Sequence, residues 1–405
     1  MASKNEFVNN LPHVKLVIGN GFDLHCHLKT SYADYFCHNE EKNKELDRWI
    51  QKFFPHSGSY LSFSCCNHKD FWVDLLSFDK FNVWDIFFYL SSKKDGVDSK
   101  EWRWCDVESK IEESLNSPKT DLSWPAVYKL LDGHKSIIHD NCDLYVLAGL
   151  VYKKHRESFF ESEKEFYSFL LDQLKRFEID FGHYISSLHN VETAKAFAVT
   201  IKNKLFIDNA SQTIGELCNI NNLVSIDSFN FDFVDLEHVR SIFHNINGTT
   251  SAPIFGVDSD AFESSDPRFI FTKTNRRMEF DMLMKQADQK AEFENVIVYG
   301  HSLNKADYSY FFSLFDKIDV GNLSKNSKVV FAYSIYDHEK QYEIEARLRE
   351  AIAKLFEDYS KYKGNKVSPN RLLDALTTQG KILMYEIPNI NIDSRFGDLR
   401  NTNPI

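Results

Sequence analysis

The feature that most restricts the fold of this chain is a short apolar run near its start, VKLVIG at residues 14–19, which stops abruptly at the polar sequence NGFD. Such a run is typical of a strand buried on both faces, as in a parallel sheet. Similar runs return in the second half of the chain, at 223–229, 295–299, 328–333 and 381–387. Helical patterns lie between them, and strands that alternate with helices predict a parallel sheet with right-handed crossovers.

The segment between the first two strands has a different pattern. From Phe159 to His189 apolar residues recur at helical spacing, which predicts a long amphipathic helix, and the stretch from Phe53 to Leu90 is rich in aromatic residues. We therefore expect an open α/β sheet built from residues 1–39 and 216–405, interrupted by a large helical, aromatic-rich insertion at 40–215.

Charge and composition exclude several classes of protein. The 405 residues carry a net charge of −11 and are 43% hydrophobic, which allows a large core and argues against a broad nucleic-acid surface. We expect no membrane span, because the chain has no apolar run of about 18 residues. The start, MASKNEFVNN, lacks the apolar core of a signal peptide, and the seven cysteines form no CxxC pair, so we expect a reduced intracellular protein.

Glycine is scarce, so its positions are informative. The chain has 15 glycines, where average usage would give roughly 28. Gly19, Gly21, Gly248 and Gly300 follow or adjoin predicted strand ends, and ligands of open parallel sheets bind at the carboxyl ends of strands. A residue without Cβ lets the backbone approach a ligand closely. The glycines therefore predict where a ligand binds; the alternative for the first pair is a tight turn with Asp23 capping a helix.

Polar residues that follow two of the strands are candidates for catalysis. Asn230 and Asp232 follow the second strand, where an asparagine can orient a water or a ribose hydroxyl. The alternative for this pair is an Asx-turn that closes the strand. His301 follows Gly300 and is a candidate acid or base near neutral pH, with a satisfied structural histidine as the alternative.

Taken together, these motifs resemble the bacteriophage abortive infection AbiH family. The landmarks occur in family order between residue 14 and about residue 311: VKLVIGNGFDLHCHLKTSYADYF, WCDVE, SFNFD, IFGVDSD, FTKT and VIVYGHSLNKADYSYF. The combination is specific, whereas a single landmark would not be. The resemblance implies a bacterial, cytoplasmic protein of antiphage defence that limits the infected cell rather than destroying the phage directly.

The order of the motifs is also similar to that of sirtuin-like NAD-binding folds, which implies a Rossmann-like sheet that binds NAD. On this likeness the first loop, which cradles the dinucleotide, matches Gly19, Asn20, Gly21 and Phe22. The site at the nicotinamide ribose matches Asn230 and Asp232, and the loop near the adenosine matches Gly300 and Ser302.

The chain departs from the sirtuin-like pattern at two positions. Asn247-Gly248 stands where that pattern has His-Gly, and asparagine cannot act as a general base. Either His244, three residues earlier, takes that role, or the activity is altered or absent. Asp23 replaces a small residue of the first loop, where a carboxylate would repel a diphosphate unless it binds ribose hydroxyls or a metal.

Three functions stay open at this point. The first is an NAD glycohydrolase, in which Asn230 positions water or ribose, Asp232 or Asp23 stabilises positive charge, and His244 or His301 moves the proton. The second is a Mg²⁺-dependent nuclease or phosphohydrolase, with Asp23, Asp232, Asp307 and Glu108 as candidate ligands.

The third is a non-catalytic sensor whose insertion binds a phage or host protein as trigger. The expected partners are thus a small-molecule nucleotide and such a protein, and homo-oligomer formation stays open. For Asp106 and Glu108, a capped helix start is the alternative to a place in the cleft.

Overall fold

The computed structural model describes residues 12–25, 28–53, 81–94, 104–116, 144, 148, 152, 160–188, 223–229, 242–245, 248–249, 252–281, 292–335, 340–364 and 369–387. Within these residues six strands form one sheet: β1 (Val14–Ile18), β2 (Leu223–Ser228), β3 (Ile242–Asn245), β4 (Asn295–Tyr299), β5 (Lys328–Tyr333) and β6 (Ile382–Glu386).

The strands lie in the order β3-β2-β1-β4-β5-β6, and every pairing in this sheet is parallel. β1 is central: Val14 pairs with Leu223 on one side and with Asn295 on the other. From β1 the chain adds β2 and then β3 on one side of the sheet. It then crosses back to the other side of β1, where it adds β4, β5 and β6. The predicted α/β class with a parallel sheet is confirmed, and the loops after β1 and β4 are neighbours at the carboxyl edge.

The apolar runs became strands because the sheet buries them. All five residues of β1 and all five of β4 are buried, whereas β6, at the edge of the sheet, has only its first residue buried. The strand β3 was not predicted from the sequence. It has four residues and ends in His244-Asn245, so it lacks the apolar run that marks the other strands.

Helices occupy most of the remaining described chain. They are α1 (Asn20–His25), α2 (Tyr32–His38), α3 (Glu40–Phe53), α4 (Val83–Lys94), α5 (Trp104–Asn116), α6 (Glu163–Ser187), α7 (Lys273–Asp281), α8 (Tyr308–Lys317), α9 (Gln341–Tyr362) and α10 (Pro369–Thr378). Ser31 and Asp34 cap the start of α2 reciprocally. No described helix is long and apolar enough to cross a membrane.

Two apolar cores hold these elements together. One lies between the sheet and the helices α8, α9 and α10, and Phe315 and Phe356 stack at its centre with ring centroids 4.9 Å apart. The other is aromatic and joins α2, α4 and α6 to the segment 255–271. The described part of 40–215 is thus helical, but its aromatic core includes residues from both flanking segments, and its extent as a domain stays a prediction.

Candidate functional site

The loops after β1 and β4 pack directly on each other at the carboxyl edge. The Gly19 N–H donates to the Tyr299 carbonyl at 2.9 Å, and the Gly21 N–H donates to the Gly300 carbonyl at 2.8 Å. A Cβ on Gly19 would lie 2.5 Å from the His301 Cα, and one on Gly21 would lie 2.8 Å from the Gly300 Cα. The close approach that the two glycines allow is therefore an approach of protein backbone to protein backbone.

The other residues of the first loop also engage the protein. It forms the short helix α1 where the sequence indicated an irregular loop. The Asn20 Oδ1 accepts a hydrogen bond from the Thr30 hydroxyl at 2.7 Å. The Phe22 ring is buried and packs edge-on against Tyr299, and Asp23 is buried as well.

His301 is held on both sides of its ring. Its Nδ1 accepts the Leu303 N–H at 2.9 Å, so the ring proton belongs on Nε2, which lies 3.5 Å from the Asp307 Oδ2. The ring also packs edge-on against Phe229 and Phe311, and only 4% of the side chain is exposed. These contacts are those of a histidine that fixes the β4 loop.

A buried lysine lies between two carboxylates from distant parts of the chain. The Lys273 Nζ is 2.8 Å from the Glu108 Oε1 and 2.6 Å from the Asp307 Oδ1, and its side chain is 2% exposed. Together with His301 these residues form what we call the buried charge cluster. The cluster links α5 of the helical segment to the start of α7 and to the loop after β4.

The pKa values follow from burial and from this arrangement. Burial raises the pKa of Glu108 to about 7, although Lys273 acts in the opposite direction. Burial alone would also raise the pKa of Asp307, but Lys273 and His301 hold that pKa well below its usual range. The pKa of Lys273 is raised, because the two carboxylates outweigh the effect of burial. Of the two carboxylates, Asp307 therefore keeps its negative charge, and Glu108 is the one that binds a proton as the pH falls.

The raised pKa of Glu108 predicts a pH-dependent stability. Because its folded pKa of about 7 lies above the ordinary 4.5, the folded chain binds this proton more tightly than the unfolded chain. The contribution is complete below pH 4.5 and is lost as the pH rises through about 7. We expect the free energy of unfolding, measured in urea, to fall with pH in this window, and Glu108→Gln to remove that part of the slope.

Glu350→Gln is the matched control for this experiment. Glu350 is exposed on α9, pairs with Lys354, and has a lowered pKa, so its proton leaves below the window in question. That variant should keep the wild-type slope. An unchanged slope in Glu108→Gln would contradict the prediction.

Backbone contacts explain how Lys273 is positioned. The Lys273 N–H donates to the Val257 carbonyl at 2.8 Å, and a Cβ on Gly256 would lie 3.0 Å from the Lys273 Cγ. Asp258, which follows Val257, accepts hydrogen bonds from both the N–H and the hydroxyl of Ser309 on α8. The motifs WCDVE, IFGVDSD, FTKT and GHSLNKAD, which are far apart in sequence, therefore meet at the buried charge cluster.

A second buried ion pair fixes the long helix α6 to the same region. The Arg276 guanidinium donates to both carboxylate oxygens of Glu178, at 3.0 and 2.7 Å, and a third donor to this carboxylate is the Phe255 N–H at 2.8 Å. A bidentate pair whose carboxylate also accepts a backbone N–H is the favourable form of a buried ion pair.

The remaining candidates from the sequence divide into two groups. Asn230, Asp232 and Asn247 lie outside the described residues. His244 lies on β3, opposite Asp227 of β2, and Gly248 lies in a short antiparallel ladder with Pro253. Ser302 is exposed next to His301. The structure thus brings the β1 and β4 loops together, and the catalytic roles of the other residues stay predictions.

Several buried polar groups were not recognised from the sequence. Lys273 belongs to the motif FTKT, and no feature of the neighbouring sequence distinguishes it from a surface lysine. Lys15 lies on β1 and pairs with Asp227 on β2 at 2.7 Å. The His25 Nδ1 hydrogen-bonds the Tyr299 hydroxyl and lies 2.8 Å from the Ser334 Oγ, so the end of α1 meets the ends of β4 and β5 there.

The ion pairs of Lys273 concern the alternative of a Mg²⁺-dependent nuclease or phosphohydrolase. Two of its four candidate ligands, Glu108 and Asp307, already share the Lys273 ammonium, which lies where a divalent ion bridging them would have to lie. Within the described ranges no three His, Cys, Asp or Glu side chains are grouped as metal ligands. Glu108 and Asp307 are therefore engaged by a protein cation in this structure.

Comparison with known proteins gives one match. A family model described as bacteriophage abortive infection AbiH matches residues 16–333, most of the length of the chain. No curated protein and no solved structure matches.

Proposed function

The chain belongs to the bacteriophage abortive infection AbiH family and so acts in antiphage defence, and we propose that within this role it binds NAD at the carboxyl edge of its sheet and hydrolyses it. The observation that carries the proposal is the strand order β3-β2-β1-β4-β5-β6. This is the order of Rossmann-type dinucleotide-binding sheets, whose ligand lies where the order reverses, here between β1 and β4. Loss of NAD would arrest the infected cell.

The chemistry needs few protein groups. Water attacks C1′ of the nicotinamide ribose, the bond to nicotinamide breaks with its electron pair leaving on the neutral base, and the water loses a proton, which yields ADP-ribose. We assign orientation of the water or ribose to Asn230 and stabilisation of the cationic transition state to Asp232. His244 is the proposed proton acceptor, since the sequence has Asn247 where the sirtuin-like pattern has histidine.

The contacts described above refine two roles. His301 uses Nδ1 on a backbone N–H and is nearly fully buried, so we assign it to holding the β4 loop rather than to proton transfer. Gly19 and Gly21 contribute by letting the β4 loop close onto the β1 loop, which fixes the edge that the nucleotide would meet. These assignments support a site whose chemistry comes from the ends of β2 and β3.

The direct test measures nicotinamide release from NAD by the purified protein, alone and with extract of phage-infected cells. We expect release from the wild type and a loss of about 100-fold in Asn230→Ala. Asn322→Ala, in the exposed loop before β5, is the matched control and should keep full activity. Absence of release under both conditions from folded protein would refute the hydrolase proposal. Protection against phage that survives Asn230→Ala would favour the sensor alternative.

A further inference from the structure

We propose that a second cleft, between α7 and α8, binds a nucleoside monophosphate. The cleft has a volume of about 520 Å³, within the range of small-molecule sites. None of its lining residues belongs to the β1 or β4 loops. The Tyr310 ring on its wall packs against Phe229, and Phe229 packs against His301, so aromatic rings separate the cleft from His301. The inference does not rest on NAD hydrolysis.

The cleft offers one cation and one anion that are not paired with each other. Arg277 uses its Nε on the Lys273 carbonyl, at 3.2 Å, and in the described part of the chain its two terminal nitrogens have no partner. The Asp260 carboxylate forms no ion pair with any described residue. A guanidinium held at Nε, with both terminal nitrogens available, suits a phosphate group.

The Ser309 and Ser313 hydroxyls act as acceptors toward a ligand, because their protons are already donated. The Ser309 hydroxyl donates to Asp258 at 2.6 Å, and the Ser313 hydroxyl donates to the Ser309 carbonyl at 2.9 Å. Their oxygens and the Asp260 carboxylate therefore accept hydrogen bonds from a ligand. The complementary ligand carries one anionic group and several donors, as a sugar phosphate with free hydroxyls does.

An exposed aromatic ring adds a flat surface to the cleft. Tyr362 is 56% exposed, and its ring stacks on Phe312 at 5.2 Å between centroids with an interplanar angle of 27°. Its hydroxyl donates to Asp316, which fixes the ring. A fixed, exposed aromatic face is a stacking surface for a nucleobase. This ring favours a nucleotide over a plain sugar phosphate, and the acceptor-rich wall favours a base with an exocyclic amine.

The test measures binding of AMP to the full chain by saturation-transfer NMR and calorimetry. We expect a dissociation constant for AMP of about 1 mM or tighter. UMP, which lacks the exocyclic amine, and ribose 5-phosphate, which lacks the base, should both bind more weakly. Arg277→Met should weaken AMP binding by about tenfold or more, since it removes a charge-assisted bond to phosphate. Arg277→Lys, which keeps the charge without the fork, should be intermediate.

Arg347→Met is the matched control, because Arg347 is 69% exposed on α9 and does not line the cleft. It should bind AMP as the wild type does, and circular dichroism of each variant verifies folding. A 5′-phosphorylated triadenylate distinguishes a free nucleotide from the 5′ end of a nucleic-acid strand. If the triadenylate binds more tightly than AMP, the nucleoside monophosphate that the cleft recognises is the end of such a strand. No AMP binding by the wild type, or equal binding by folded Arg277→Met, would overturn the proposal.

Discussion

Replacing Lys273 by methionine should lower the free energy of unfolding by about 3–5 kcal/mol, the cost of breaking a buried ion pair by removing one partner. The ammonium is the shared partner of Glu108 and Asp307, and all three side chains are at most 8% exposed. Methionine fills much of the same volume but leaves two buried carboxylates without their cation. Urea denaturation at pH 8, above the pKa of Glu108 of about 7, measures the full effect.

Two further variants show whether charge or packing causes the loss. Lys354→Met makes the same change on the exposed face of α9, where the lysine is 64% exposed, and should cost no more than about 0.5 kcal/mol. Adding Glu108→Gln and Asp307→Asn to Lys273→Met removes the unpaired charges, so we expect part of the stability to return. A loss below about 1 kcal/mol in Lys273→Met would mean that the cluster is not stabilised by its ion pairs.

Replacing Gly300 by alanine should have the second large effect, about 2–5 kcal/mol of destabilisation. Gly300 has φ +67°, and a Cβ there would lie 2.4 Å from the Phe22 backbone nitrogen. The left-handed backbone accounts for about 1–2 kcal/mol of the cost and the clash for about 1–3 kcal/mol. The clash would separate the β1 and β4 loops at the proposed nucleotide edge.

Gly380 provides the control that separates the two causes. Its φ of +65° is almost the same, but a Cβ there meets nothing within 4 Å. Gly380→Ala should therefore cost only the conformational part, about 1–2 kcal/mol. Thermal denaturation of both variants compares them directly. Equal losses would show that the contact between the two loops can relax and that φ alone accounts for the cost of a side chain at Gly300.

The sequence predicted the central strands because each is a short, mostly apolar run, which is typical of a strand buried on both faces. The charged exceptions, Lys15 in β1 and Asp227 in β2, pair with each other. The sequence did not predict β3, whose four residues end in His244-Asn245 and are held by pairing with β2. The sequence also indicated a loop or tight turn at residues 20–23, whereas the structure has the helix α1 there, with contacts to the β4 loop. In both places a partner distant in sequence decides the local structure.

The contact between the β1 and β4 loops could be predicted from the sequence, whereas the buried charge cluster could not. Glycine positions identified the edge where the β1 and β4 loops meet, since strand ends and glycines are local signals. The role of Lys273 is not local: Glu108 is far away in sequence, and Asp307 follows another strand. The sequence is compatible with Glu108 in the cleft or at a capped helix start. In the structure it is an ion-pair partner that joins the helical segment to the sheet.

The central position of β1 also has a consequence for how the chain is made. β1 is the first strand of the sheet to leave the ribosome, yet Val14 pairs with Leu223 and Asn295. At typical elongation rates the strand waits roughly 10–40 s for its first neighbour. Throughout that interval β1, which is apolar except for Lys15, lacks both of the strands that cover its edges in the folded chain, and unpaired strand edges are prone to aggregate. We therefore expect early contacts with the helical segment, which is translated next, to protect the first strand until β2 is made.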